Sequence, residues 1–171
     1  KLIRNMRDIE EIEYTIPQEI EPILRPYQKK GFRWLYALKE NHLGGLLADE
    51  MGLGKSIQII SLLAAWKDRK RTLIVCPSSL VYNWANEINK FMPNMHYTMI
   101  SGFANIRKEL IRTSLENDIL ITSYDALKRD IDVYRTMEFS CQVIDEAQYI
   151  KNASTLAAQS VKAINSHFRI A

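Results

Sequence analysis

The stretch L-A-D-E-M-G-L-G-K-S, Leu47 to Ser56, ends in residues suited to gripping a phosphate. Gly52 and Gly54 let the backbone fold back, so that the amide N–H groups of Gly52–Ser56, Leu53 included, can point inward. A helix beginning there adds its positive end. Lys55 can reach the β- and γ-phosphates of a nucleotide, and the Ser56 hydroxyl can take Mg²⁺. The general pattern G-x-x-x-x-G-K-[S/T] asks for a glycine five residues before Gly54, and Asp49 stands there. The residues alone therefore allow two readings: a specialised phosphate loop, or an ordinary glycine-rich turn.

A second candidate lies downstream. In V-I-D-E-A-Q, Val143–Gln148, an apolar run ends in Asp145 and Glu146. Taken alone, an acidic pair after a strand reads as a helix cap or a solvated turn. With Lys55 and Ser56 upstream it reads differently. Asp145 would meet the Mg²⁺ opposite Ser56, and Glu146 would accept a proton from an attacking water.

Such a site needs both segments at the carboxyl ends of strands in an open α/β sheet. Periodicity supplies the elements. Tyr27, Gly31, Trp34, Leu35 and Leu38 trace one face of a helix entered through Pro26. Gly45–Ala48 reads as a strand, followed by a helix from Gly54 to about Lys67. Thr72–Cys76, Y-T-M-I, D-I-L-I-T and C-Q-V-I-D read as further strands, and F-R-I-A opens a last one. Between them lie helical patterns: Leu80–Phe91, Ile106–Arg112, Asp125–Tyr134 and about Thr155–Ile164. The strand runs are continuously apolar, as in a parallel sheet covered on both faces. The expected fold is a three-layer α/β domain around a mostly parallel sheet, with residues 1–24 as a lead-in or linker.

Bulk properties narrow the classes. Hydrophobic residues make up 47% and charged residues 25%, a globular balance. No apolar run approaches the length that spans a bilayer. Cys76 and Cys141, each inside an apolar run, read as buried reduced thiols and imply a reducing, cytoplasmic setting. His42, His96 and His167 are widely spaced and have no metal-site partners, so no structural metal is expected. The net charge of +3 hides an acidic start. Residues 1–24 carry three basic and six acidic groups, leaving +6 on residues 25–171, a balance compatible with nucleic acid.

D-E-M-G-L-G-K-S followed by I-D-E-A-Q closely resembles the Swi/Snf-type ATPases of helicase superfamily two. In that family the phosphate loop commonly reads D-E-x-G-L-G-K-[S/T], so Asp49 is the family's own form. The resemblance runs through most of residues 25–171. L-R-P-Y-Q-K-K-G-F-R-W-L, Leu24–Leu35, resembles the Q motif and implies that Gln28 bonds the adenine edge. L-I-V-C-P-S-S-L-V-Y-N-W resembles motif Ia, I-T-S-Y-D-A-L motif Ib, and I-D-E-A-Q-Y-I-K-N motif II, with Gln148 where relatives often have His. The D-A-L-K-R-D and Y-I-K-N spellings look more like bacterial members than chromatin remodellers.

The resemblance implies the first RecA-like lobe of a P-loop ATPase that moves on duplex DNA and remodels bound proteins, with residues 25–171 stopping short of motif III. Pro77, Ser78, Ser79, Thr122, Ser123 and Tyr124 would contact a DNA strand through backbone N–H and hydroxyl groups, independently of its sequence. Capping of the following helices is a competing role for the serines, and Trp84 reads as core. The final F-R-I-A strand would lie between the Lys55-loop strand and the Asp145 strand. The second lobe of the full-length chain would supply an arginine, leaving this chain nearly inactive by itself. Two rivals remain: an RNA or DNA helicase of a sister family, and a nucleotide-binding module that does not hydrolyse.

Overall fold

Thr72–Cys76 is buried along its whole length, as a strand must be when helices cover both faces of its sheet. The computed structural model describes residues 15–47 and 54–171. Readings that rest on residues 1–14, or on Ala48, Asp49, Gly52 and Leu53, lie outside the described residues.

Thr72–Cys76 (β1) is the central strand. It pairs in parallel with Ile119–Ser123 (β3) on one side and Glu138–Ile144 (β4) on the other. Tyr97–Met99 (β2) adds to β3, and Asn165–Ile170 (β5) adds to β4, giving the all-parallel order β2-β3-β1-β4-β5. Beyond β5 the sheet continues as a bridge from Gly45 to Ile170, with the Leu47 amide donating to the Ala171 carbonyl at 2.7 Å. The F-R-I-A strand thus lies between the Gly45 segment and the Asp145 strand, as expected from the sequence.

Alternation along the strands divides the core in two. Ile74, Cys76, Ile121, Cys141 and Val143 face a cluster built with Pro26–Glu40 (α1), Lys55–Ala65 (α2) and Val81–Phe91 (α3). Leu73, Val75, Leu120 and Ile144 face a second cluster built with Ala104–Arg112 (α4), Tyr124–Tyr134 (α5) and Leu156–Lys162 (α6). That is a three-layer α/β domain. Ile16, Ile20 and Leu24, from the acidic lead-in, are buried in the first cluster. Cys76 and Cys141 are free and buried, and burial pushes both thiols up to about 12.

α2 is buried from Ile57 through Leu63, so it behaves as an interior helix rather than a surface one. α1 departs from the expected face. Its buried residues are Gln28, Phe32, Leu35 and Ala37, while Tyr27 is exposed. The face has turned because Gln28 packs inward and the Gln58 side chain of α2 crosses Gly31. A Cβ on Gly31 would lie 1.7 Å from Gln58 Oε1, so a larger residue there would push the Gln58 amide aside.

One ion pair is buried among the helices of the second face. Arg107 of α4 holds Asp130 of α5 through two bonds, Nε–Oδ2 at 2.6 Å and Nη2–Oδ1 at 2.9 Å. The remaining Nη1 donates to the Gly102 carbonyl at 2.8 Å. Removing one member of such a pair leaves an uncompensated buried charge, at a cost of about 3–5 kcal/mol. We expect Asp130→Ala to lower the urea midpoint by a corresponding amount with an unchanged slope. A midpoint equal to that of the parent would contradict this reading of the pair.

Candidate active site

The amino end of α2 carries the first half of the site. Gly54 precedes it in the left-handed region, φ 74 and ψ 48, and Lys55 and Ser56 form its first two residues, both half-buried. Gly54 is confined from the side as well, since a Cβ there would lie 2.3 Å from Gln28 Nε2. The glutamine expected to read adenine therefore packs on the last glycine of the phosphate loop. Its Oε1 accepts from the Arg25 amide at 2.9 Å, closing the start of α1. The sequence-predicted Gly52 and Leu53 lie outside the described residues.

The carboxyl end of β4 carries the second half. Asp145 follows Ile144 directly, and its amide donates to the Val75 carbonyl at 2.8 Å, extending the ladder with β1 by one rung. Its carboxylate is held at both oxygens: Oδ1 accepts from the Glu146 amide at 3.0 Å, and Oδ2 from the Trp84 indole N–H at 2.9 Å. Its carbonyl accepts from the Tyr124 hydroxyl at 2.7 Å. Burial, and then the charge of Asp145, push that hydroxyl well above its ordinary range, so it stays protonated and a donor. Glu146 sits at φ 54 and ψ 53, a conformation that costs a non-glycine residue about 1–3 kcal/mol. The Gln148 amide donates to Glu146 Oε2.

Lys55, Ser56, Asp145 and Glu146 line one cavity of about 220 Å³, floored by Ile59, Val143 and Ile170. A larger cavity of about 440 Å³ lies at the other end of β4 and β5, bordered by Lys39, Glu138 and His167. Those groups are already paired, His167 with Glu138 at 2.7 Å and Lys39 with Glu40 at 2.6 Å. It also lies at the amino ends of its strands, whereas ligands of open α/β sheets bind at the carboxyl ends. The smaller cavity is the chemical one.

The predicted nucleic-acid residues separate. Ser78 and Ser79 are exposed in the 3-10 turn Ser78–Leu80 after β1, with Pro77 half-buried beside them. Ser123 is half-buried and caps α5, its Oγ accepting from the Ala126 amide at 3.1 Å. Thr122 and Tyr124 correct one part of the expectation, the contact through their hydroxyls. Thr122 is fully buried in β3 and Tyr124 is 5% exposed, so neither side chain is presented to a passing strand. Tyr124 instead faces Asp145 and stacks on Tyr149, ring centres 5.4 Å apart.

Trp84 is core, as expected, but also a donor to the site. A signal for this was present in the sequence: a buried indole N–H needs a partner, and the sequence alone did not say which.

Gly54 offers a direct check of the loop. Alanine there meets an unfavourable φ, and its Cβ displaces the Gln28 amide that packs on this position. Backbone strain of this kind costs about 1–3 kcal/mol. We expect Gly54→Ala to weaken nucleotide binding by roughly tenfold in a calorimetric titration while leaving the helical circular dichroism intact. Parent-like affinity would show that the Gly54 conformation is not part of a phosphate cradle.

Comparison with known proteins follows the same lines. Residues 27–171 match the family model of the SNF2-related domain. The chain is 40% identical over 152 residues to an uncharacterized ATP-dependent helicase of Mycoplasma genitalium, covering 86% of this chain and 15% of that protein. It is 34% identical over 161 residues to an ISWI chromatin-remodeling complex ATPase of Saccharomyces cerevisiae, covering 90% and 14%. Among solved structures, the Sulfolobus solfataricus SWI2/SNF2 ATPase core in complex with dsDNA superposes with a TM-score of 0.77 at 35% identity. The match covers 93% of this chain and 33% of that one. The chain thus spans about a seventh of these curated relatives and a third of the solved core. Its glycine-rich loop, its Asp-Glu strand end and its parallel sheet are those of the SNF2-related domain family, to which this chain belongs.

Proposed function

We propose that this chain is the ATP-binding lobe of a DNA-dependent ATPase that couples hydrolysis to movement along duplex DNA and to remodelling of protein–DNA complexes. The observation that carries the reading is the convergence of Lys55, Ser56, Asp145 and Glu146 on one cavity at the carboxyl ends of the strands.

The donor set suits a magnesium ion. Ser56 offers a hydroxyl and Asp145 a carboxylate, and Mg²⁺ takes oxygen ligands, keeps several waters and shares phosphate oxygens. Ser56 and Asp145 would hold it, and when bound it neutralises charge on the phosphate oxygens. Lys55 adds a positive charge at the β- and γ-phosphates, and the amino end of α2 contributes its dipole. Glu146, held by the Gln148 amide, accepts the proton of a water as its oxygen bonds the γ-phosphorus. The bond to the ADP oxygen breaks in the same displacement. The family resemblance assigns the charge-stabilising arginine to a second lobe, and an arginine of that kind is worth roughly 10³–10⁵ in rate. This chain by itself should therefore turn over slowly.

Support for DNA as the partner comes from the related Sulfolobus core, which is described in complex with dsDNA. Here the exposed Ser78 and Ser79 and the half-buried Pro77 and Ser123 stand at the carboxyl ends of β1 and β3. Contacts of that kind go to phosphates and position without reading bases.

Three experiments test this. Lys55→Ala should weaken ATP binding by roughly tenfold or more, since a charge-assisted bond is lost. Glu146→Gln should preserve binding and lower DNA-stimulated phosphate release roughly 10²–10⁴-fold in the full-length protein. Turnover unaffected by Glu146→Gln would remove this residue from the role of proton acceptor. For DNA, affinity should fall steeply and linearly on a logarithmic salt scale, equally for unrelated sequences. Tight, salt-resistant binding to a single sequence would contradict the phosphate-contact reading.

A further inference from the structure

Asp145 is gripped from two directions by aromatic donors whose helices both begin at the nucleic-acid side of the domain. Trp84 lies in α3, which starts directly after the Ser78–Leu80 turn, and its indole N–H donates to Asp145 Oδ2 at 2.9 Å. Tyr124 is the first residue of α5, directly after Ser123, and its hydroxyl donates to the Asp145 carbonyl at 2.7 Å. One donor therefore fixes the side chain of Asp145 and the other its backbone. Both aromatic rings are buried, 4% and 5% exposed, so neither can move without its helix.

We propose that Trp84 and Tyr124 are positioning residues that tie Asp145 to the turn at Pro77–Ser79 and to Ser123 at the end of β3, so that a strand pressing there is felt at the metal-binding carboxylate. The proposal rests on the functional reading above and adds the route by which the two faces communicate. The geometry is short and specific. The turn after β1 leads to the carboxylate through less than one helical turn of α3 and one indole. The end of β3 at Ser123 leads to the carbonyl through a single residue. Partners of a metal-binding carboxylate are worth roughly 10–100-fold in metal affinity or activity when removed, because they set the orientation of the ligand.

The test uses the full-length protein with Trp84→Phe and Tyr124→Phe, each of which removes a donor and keeps a ring. Two quantities are read. One is the Mg²⁺ concentration at which a fluorescent N-methylanthraniloyl-ADP reaches half of its Mg²⁺-dependent increase in binding. The other is the factor by which duplex DNA raises phosphate release at saturating Mg²⁺ and ATP. Each variant should raise the first and lower the second by about tenfold, while analogue binding in excess chelator matches the parent. Both quantities must move for the coupling to stand. A folded variant in which either keeps its parent value overturns it, as does a loss of thermal stability unaccompanied by these shifts. If Trp84→Phe fails to fold, Tyr124→Phe decides alone, since it leaves the stack on Tyr149 in place. Failure of the underlying reading looks different: the parent itself would show no DNA-stimulated release, and both proposals would fall together.

Discussion

The hydrogen bond from the Asp145 amide to the Val75 carbonyl, 2.8 Å long, is the constraint on which the chemistry of this domain depends. It extends the β1–β4 ladder one residue beyond Ile144 and so fixes the face toward which Asp145 points. Val143 belongs to the cluster under α1, α2 and α3, and Ile144 to the cluster under α4, α5 and α6. By alternation Asp145 returns to the first side, where α2 brings Ser56 and α3 brings Trp84. A slip of one residue would send the carboxylate to the opposite face. One face of β4 packs Cys141 and Val143, and the other carries the buried Gln142, whose amide donates to the Val161 carbonyl at 3.0 Å, so such a slip would also misplace these side chains. The core thus enforces the register that the site requires.

Much of this was legible in the sequence, and what was not has identifiable causes. Thr72–Cys76 could be delimited from apolar content alone because a strand buried on both faces has no polar alternation to blur its ends. The order of the last strands followed from the family resemblance. The face of α1 was misjudged because Gln28, a polar residue, occupies a buried position that periodicity assigns to an apolar one, while Tyr27 is exposed. The hydroxyls of Thr122 and Tyr124 were read as surface contacts because a motif names a segment without saying which of its side chains turn inward. The fully buried Thr122 continues the packing of β3, and Tyr124 starts a helix whose first turn lies against Asp145. Lys55 and Ser56 together with Asp145 and Glu146 needed no such detail, since their pairing across the chain is itself the signal.

The polar economy around Asp145 explains why core and site share residues. A buried indole N–H and a buried phenol each require an acceptor, and leaving one unpaired costs about 1–3 kcal/mol. A carboxylate at the end of a strand requires donors, or it swings freely. Trp84 settles both needs with its bond to the carboxylate, and Tyr124 finds its acceptor in the Asp145 carbonyl. The residues that complete the packing of α3 and α5 therefore also restrain Asp145, one at its side chain and one at its backbone. Cys76 lies in the same neighbourhood without joining it: burial, and then the charge of Asp145, push its thiol up to about 12, which keeps it neutral and packing-only.

Ser123 shows that capping and phosphate contact need not compete. Its oxygen accepts from the Ala126 amide at 3.1 Å and so satisfies one orphan donor of α5. A serine hydroxyl has two acceptor lone pairs and one donor hydrogen. The cap uses a lone pair and leaves the hydrogen to rotate outward, and a phosphate oxygen is an acceptor seeking such a hydrogen. The same atom can therefore hold the start of α5 and meet a strand. The cap also fixes where that hydroxyl stands relative to Tyr124, the next residue and the donor to the Asp145 carbonyl. A contact made at Ser123 falls on the first turn of the helix whose Tyr124 bonds the Asp145 carbonyl, with no residue in between.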